Sequence, residues 1–257
     1  MESHRSYGLK KQDAFSEIVI VDPITLPIAR VLATLKVHPI TVTIFAFLAR
    51  LIAAGFFIYG FGAYGAISSI IGFFLDGIDG KIARLRQLDE ELHGTVDFLM
   101  DQVAFGAMGV GALIWAVYAG YRIETILLGL WLSIYMILMA FTSTWYRILS
   151  QHNKISSRDE GEKIFQAHFR NGKGGVINAI LKMLDSVYAR LKDSLLKKYH
   201  IIPYPTAIES EVLVFMIAPF FHFHPILLSL GILCLFPDIF IYFILNLMKV
   251  LNPKASE

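Results

Sequence analysis

The chain alternates long apolar runs with short polar breaks, and the runs have the length a bilayer demands. A membrane's hydrocarbon core takes roughly 20 mainly apolar residues per helix. Six segments meet or approach that length: 39–59, 64–83, 95–118, 123–149, 207–221 and 226–250. A Gly-rich turn divides the first two, and a long polar stretch, 150–205, divides the fourth from the fifth. The fifth is the shortest and opens on Glu209 and Glu211. The pattern predicts an all-α polytopic membrane protein with six transmembrane helices. An N-terminal arm (1–38) precedes the transmembrane domain (39–250, including the cytoplasmic segment 150–205), and a short tail (251–257) follows it.

Two other segments carry apolar residues at helical spacing without the length to span. In 27–36, Ile28, Val31, Leu32 and Leu35 share one face while Arg30 and Lys36 lie elsewhere. This is expected to be a juxtamembrane amphipathic helix. In 176–198, Ile177, Ile180, Leu181, Leu184, Val187, Leu191 and Leu195 recur, with Lys182, Arg190, Lys192, Lys197 and Lys198 on the polar side. Basic amphipathic helices lie on anionic membrane surfaces; packing on the bundle is the other reading of both.

Composition agrees with the pattern. Hydrophobic residues make up 56% of the chain and charged residues 17%, against about 25% charged in a soluble domain. The net charge of +2 is uninformative, but its placement is not. With the N-terminus in the cytoplasm, 21 of the 23 Lys and Arg fall on that side. Arg122 lies outside and Arg50 inside the first helix. The positive-inside rule then puts both termini in the cytoplasm. No nucleic-acid partner is expected. The single cysteine, Cys234, excludes an intrachain disulfide framework and reads as a small buried hydrophobe. The polar N-terminus lacks the apolar core of a signal peptide, so insertion is expected to rest on the later helices.

The candidate chemistry sits in 76–101, where the second helix ends and the third begins. Asp76 and Asp79 are three residues apart and share a helix face; Asp97 and Asp101, four apart, share another. The two helices are consecutive and antiparallel, so the pairs can meet near the cytoplasmic surface. An ionised Asp at mid-bilayer costs about 2.5–3.5 kcal/mol on the mildest scale, and four together repel. A compensating cation is required, and oxygen ligands suit hard ions such as Mg²⁺, Mn²⁺ or Ca²⁺. Four carboxylates can bridge two ions, an arrangement used in phosphoryl chemistry. Gly77, Gly80 and Ala83 leave a strip almost free of side chain, against which a bulky ligand can lie. Arg84 offers a planar donor fork to a phosphate.

These residues resemble the CDP-alcohol phosphotransferase (CDP-alcohol phosphatidyltransferase) family. Asp76, Asp79, Gly80, Ala83 and Arg84 match its D-x-x-D-G-x-x-A-R, and Gly94, Asp97 and Asp101 match its G-x-x-x-D-x-x-x-D. The spacer between Arg84 and Gly94 is one residue longer than usual. Pro39 and Thr43 match the family's P-N-x-x-T at the start of the first helix, with Ile40 in place of Asn. The resemblance implies a membrane enzyme of phospholipid synthesis in a prokaryotic cell membrane. It would move a substituted phosphate from a CDP-linked donor to a small polar or phosphorylated alcohol and release CMP. Asp76, Asp79, Asp97 and Asp101 would hold Mg²⁺ or Mn²⁺, as two ions, with Asp101 also acting as general base. Gly80, Ala83, Arg84, Gly94 and Thr43 would face the donor, which is CDP-diacylglycerol or an archaeal equivalent, or alternatively a CDP-polar alcohol such as CDP-inositol or a CDP-aminoalcohol. A homodimer is implied as well.

Other residues stay open at this level. Arg50 would contact an acceptor phosphate or pair with an aspartate, and Arg147 would bind the acceptor or anchor the membrane edge. Glu209 and Glu211 read as a solvated helix end, with acceptor binding the alternative. Asp238, after Pro237, reads as a satisfied carboxylate at a kink, and His93 is a spare base. Intramembrane aspartates also mark ion or proton transporters, and an inactive metal-dependent scaffold is a third class. Neither of these explains Gly80, Ala83 and Arg84 at their fixed spacing.

Overall fold

The computed structural model describes residues 8–10, 13–88, 90–151, 202 and 204–251. The segment 176–198, nearly all of 150–205, and the side chains of His93 and Arg147 lie outside the described residues. The described chain is helical and has no strand. A π-helical turn (Glu17–Val21) leads into α1 (Asp22–Thr34), followed by α2 (Pro39–Ile58), α3 (Gly62–Leu85), α4 (Glu90–Tyr118) and α5 (Arg122–Gln151). After the gap come α6 (Ala207–Glu211), its continuation as a π-helical turn (Val212–Ile217) and a 3₁₀ turn (Ala218–Phe221), and α7 (Pro225–Leu251).

Among the described residues, four helices are long and apolar enough to cross a membrane: Pro39–Ile58, Gly94–Tyr118, Arg122–Ser143 and Pro225–Phe243. The other two expected spans exist as helical elements but are not among these four. α3 is long, yet carries Asp76, Asp79, Lys81 and Arg84 in its second half. α6 with its two continuations changes helical type twice before Phe221. The outward faces of the long helices are apolar: Phe45, Leu48 and Ile52 on α2, Val103 and Val110 on α4, and Leu233, Phe236 and Phe240 on α7 are all exposed. Monomeric soluble proteins rarely present continuous apolar faces of this size; lipid is their solvent.

Small residues let the backbones approach, as membrane helix packing favours. α2 is the hub, lying against both α3 and α4, which touch each other little. A Cβ at Gly72 would meet Arg50 Cγ at 2.8 Å and the Ala46 carbonyl at 3.1 Å, so this glycine admits Arg50 between α2 and α3. Positive φ at Gly60 (78°) and Gly120 (76°) turns the chain between α2 and α3 and between α4 and α5; glycine takes that conformation without the Cβ penalty. The core is aromatic. Trp131 stacks on Tyr135 at 4.8 Å between ring centres and meets Phe215 edge-on at 4.9 Å, with Phe57, Phe105 and Phe223 around them.

α1 starts at Asp22 rather than 27. Pro23 takes a first-turn place, and Pro27 sits inside the helix. Val21, Thr25 and Ala29 are buried, while Ile24, Ile28, Val31 and Leu35 are exposed. Gly77, expected to leave room for a ligand, instead receives α1's approach: a Cβ there would lie 2.5 Å from Val21 Cγ1. Lys81, buried on α3, bonds to Asp22 Oδ1 at 2.7 Å and to the Gly77 carbonyl at 3.0 Å, clamping α1 to α3. Asp238 in α7 is buried and satisfied, accepting from Ala207 N at 2.8 Å. Cys234 is a free thiol, half-buried.

Candidate active site

Three helices bring carboxylates and their partners to one place. The second half of α3 supplies Asp76 and Asp79, the first half of α4 supplies Asp97 and Asp101, and α2 supplies Thr43 and Arg50, seven residues apart and hence on one face. Single oxygens of Asp76, Asp97 and Asp101 all lie within 4.8 Å of one another, a spacing one cation can span. Asp79 is not in that group. It is fully buried, and Thr43 Oγ1 donates to its Oδ2 at 2.6 Å.

Arg50 is the cation of this region, and it is 2% exposed. One terminal nitrogen donates to Asp101 Oδ1, the other lies 3.5 Å from Asp76 Oδ2, and the guanidinium sits 4.7 Å over the Phe105 ring. Of the two readings open for Arg50, the geometry is that of pairing with aspartate. One guanidinium does not balance four carboxylates. Asp76 Oδ1 and Asp97 Oδ1 are buried with no hydrogen-bond partner, a state that costs heavily unless something positive satisfies it. The donor set is all oxygen, so a hard divalent ion fits it.

The remaining motif residues of α3 lie in its last two turns. Arg84 Nε donates to the Gly8 carbonyl at 2.9 Å. A Cβ at Gly80 would meet Arg84 Nη1 at 3.2 Å, so the glycine makes room for the guanidinium to fold back along the helix. Ala83 is buried. Gly94, one turn before Asp97, is exposed, with nothing within 4 Å of where a Cβ would stand. Next to this end, Glu17 is buried in the N-terminal arm. Burial, with the nearby Asp13 charge, pushes its carboxyl up to about 7, while Lys10 and Lys81 oppose the shift.

The pattern that carries these groups decides what the chain is. The CDP-alcohol phosphatidyltransferase profile matches residues 36–234, which takes in Thr43, Arg50, all four aspartates and α6. The chain belongs to the CDP-alcohol phosphatidyltransferase family. It is thus an integral membrane transferase of CDP-alcohol phosphotransfer in phospholipid synthesis, and the transporter and scaffold readings fall away. Its fold is similar to that of the Mycobacterium tuberculosis phosphatidylinositol phosphate synthase solved with CDP-DAG bound. The two share 20% identity over 89% of this chain and 92% of that one, with a TM-score of 0.52. Among curated proteins, no relative matches the transferase.

Of the two glutamates at the start of α6, one was misread from the sequence. Glu209 is a helix-end residue as expected: with Thr206 it closes a capping box, and it also accepts from Ser16 N and Oγ at 3.3 Å. Glu211 is not solvated; it is 7% exposed, buried together with Ser210 at the end of α6. The signal was present in the spacing. Glu211 precedes Phe215 by four residues, which puts it on the face that packs into the aromatic core.

Proposed function

We propose that the transferase moves a substituted phosphate from CDP-diacylglycerol, or an archaeal lipid equivalent, to the hydroxyl of a small polar or phosphorylated alcohol, releasing CMP. The observation that carries this reading is the pair of buried, partnerless oxygens on Asp76 and Asp97 inside a carboxylate group of cation-binding size. Asp76, Asp79, Asp97 and Asp101 hold Mg²⁺ or Mn²⁺ as two ions, with Asp79 oriented by Thr43. When bound, such ions neutralise the donor's diphosphate and stabilise the departing CMP. Asp101 takes the proton from the acceptor hydroxyl, and Arg50 holds its carboxylate in position. Gly80, Ala83 and Gly94 give the donor access to the backbone. Arg84 grips its phosphate or ribose side, exchanging the Gly8 carbonyl for the ligand. Arg50 acts on the acceptor through Asp101, and Arg147 is the acceptor-side cation. The synthase bound to CDP-DAG supports the choice of donor.

The donor is tested by offering purified protein in bilayer discs CDP-diacylglycerol with a panel of alcohols, and separately a CDP-polar alcohol with a lipid alcohol. CMP is expected from the first pairing. CMP from the second alone would move the lipid to the acceptor side, and CMP from neither contradicts the reading.

The same reading includes six spans in 39–250, α1 lying in the interface, both termini and the aspartates on the cytoplasmic side of a prokaryotic membrane, and a homodimer, which the mass of detergent-solubilised protein reads out. Orientation rests on the 21 basic residues that share one side. Single cysteines in place of the exposed Arg122 and Lys36 test it in a Cys234→Ala background. An impermeant thiol reagent is expected to label the first from outside intact cells and the second only after lysis. The reverse pattern overturns the orientation.

A further inference from the structure

Before it becomes α1, the chain meets α3 twice. Gly8 packs on the last residue of that helix, where a Cβ would meet Leu85 Cγ at 2.9 Å, and its φ of 75° is a conformation that favours glycine. The arm then reaches the start of α6. The Asp13 carbonyl accepts from Ile202 N at 3.0 Å, and Glu209, which closes the α6 capping box, accepts from Ser16 N and Oγ at 3.3 Å. It returns to α3 with Val21 against Gly77 and Asp22 on Lys81. The arm is thus tied to α3 at both ends and to the start of α6 between them.

The first of these ties bears on the site. The Gly8 carbonyl accepts from Arg84 Nε at 2.9 Å. Held this way, the guanidinium folds back along its own helix. The three atoms nearest to where a Gly80 Cβ would stand are Arg84 Nη1 at 3.2 Å, Nη2 at 3.6 Å and Cζ at 3.8 Å. Gly80 is one of the small residues that give the donor access to the backbone in the proposed function, and Arg84 covers it. A ligand atom in van der Waals contact with that backbone needs the space the guanidinium fills.

We propose that the N-terminal arm is an autoinhibitory strap: its Gly8 carbonyl holds Arg84 over Gly80, and a CDP-linked donor binds by displacing it. The inference rests on the proposed function and adds regulation to that same site. The donor's diphosphate offers anionic oxygens to Arg84, stronger partners than a neutral carbonyl, so the exchange favours the ligand once it arrives. Until then the seated strap weakens the apparent donor affinity in proportion to how rarely it opens.

Gly8→Val tests this in the full chain. Valine is strained at positive φ and its Cβ would run into Leu85, so the strap cannot seat, while Arg84 and the aspartates are unchanged. CMP release as a function of CDP-diacylglycerol concentration is expected to give a donor KM about tenfold below wild type, the worth of one hydrogen bond to a charged group, with kcat close to wild type. Ser16→Ala removes the hydroxyl bond to Glu209 and is expected to lower the donor KM less; it carries the test should Gly8→Val not fold. Hydrogen–deuterium exchange of the wild-type protein is the second readout. Saturating CDP-diacylglycerol with Mg²⁺ is expected to speed exchange in the peptides that contain Gly8 and Ser16. A donor KM unchanged or raised in the folded variants, or exchange unchanged or slowed by the donor, overturns the proposal. Wild-type protein that releases no CMP from any CDP donor overturns the functional reading instead, so the two failures are distinguishable.

Discussion

Asp76→Ala is expected to abolish metal binding and CMP release together. Asp76 is the carboxylate on which the site depends most. One of its oxygens faces Arg50 at 3.5 Å, the other is buried with no partner, and it belongs to the group of three whose oxygens lie within 4.8 Å. Removing even an outer partner of a metal ligand typically costs about 10–100-fold in affinity or activity, so loss of a ligand itself leaves no measurable turnover. The fold should survive, because Arg50 keeps Asp101 and α2 still packs on α3 through its small residues. Mn²⁺ titration followed by electron paramagnetic resonance, alongside CMP release and circular dichroism, separates the effects. A folded Asp76→Ala protein with wild-type Mn²⁺ affinity would remove Asp76 from the ligand set.

Asp101→Asn should separate binding from chemistry. Asparagine keeps the size of the side chain and a carbonyl oxygen that can accept from Arg50 and contact a cation, but it cannot take a proton. General-base assistance is typically worth about 10²–10⁴-fold. Turnover is expected to fall by roughly that factor while the affinity for a CDP donor stays near wild type. Asp97→Asn differs in kind: Asp97 has a buried oxygen with no hydrogen-bond partner, so losing its charge is expected to weaken cation and donor binding. Calorimetric titration with the donor, run beside CMP release, reads both quantities. Normal turnover in Asp101→Asn would assign the base elsewhere, to His93 or another group.

The residues that define the family were legible because their spacing is a helical statement. Spacings of three and four residues put each pair of aspartates on one face, and two consecutive helices bring the faces together. The rotation of one helix about its axis was not legible. It decides that Asp76 joins Asp97 and Asp101 while Asp79 turns to Thr43. Arg50 stood out as a charge in an apolar helix, yet which group it would meet depended on Gly72 opening the α2–α3 contact, and spacing within one helix does not reveal that. The charge density that makes α3 chemically interesting is also what takes it out of the helices apolar enough to span unaided. Glu211 was readable in principle from its register with Phe215, but its place at the start of a short helix favoured the solvated reading.

The central claim is a divalent-cation site that serves a CDP-linked donor. Its most direct test is CMP release from CDP-diacylglycerol by the purified wild-type protein in excess chelator, followed by add-back of Mg²⁺, Mn²⁺ or a monovalent salt of equal ionic strength. The account predicts no release in chelator and recovery with Mg²⁺ or Mn²⁺ but not with the monovalent salt. Full release in excess chelator would contradict it.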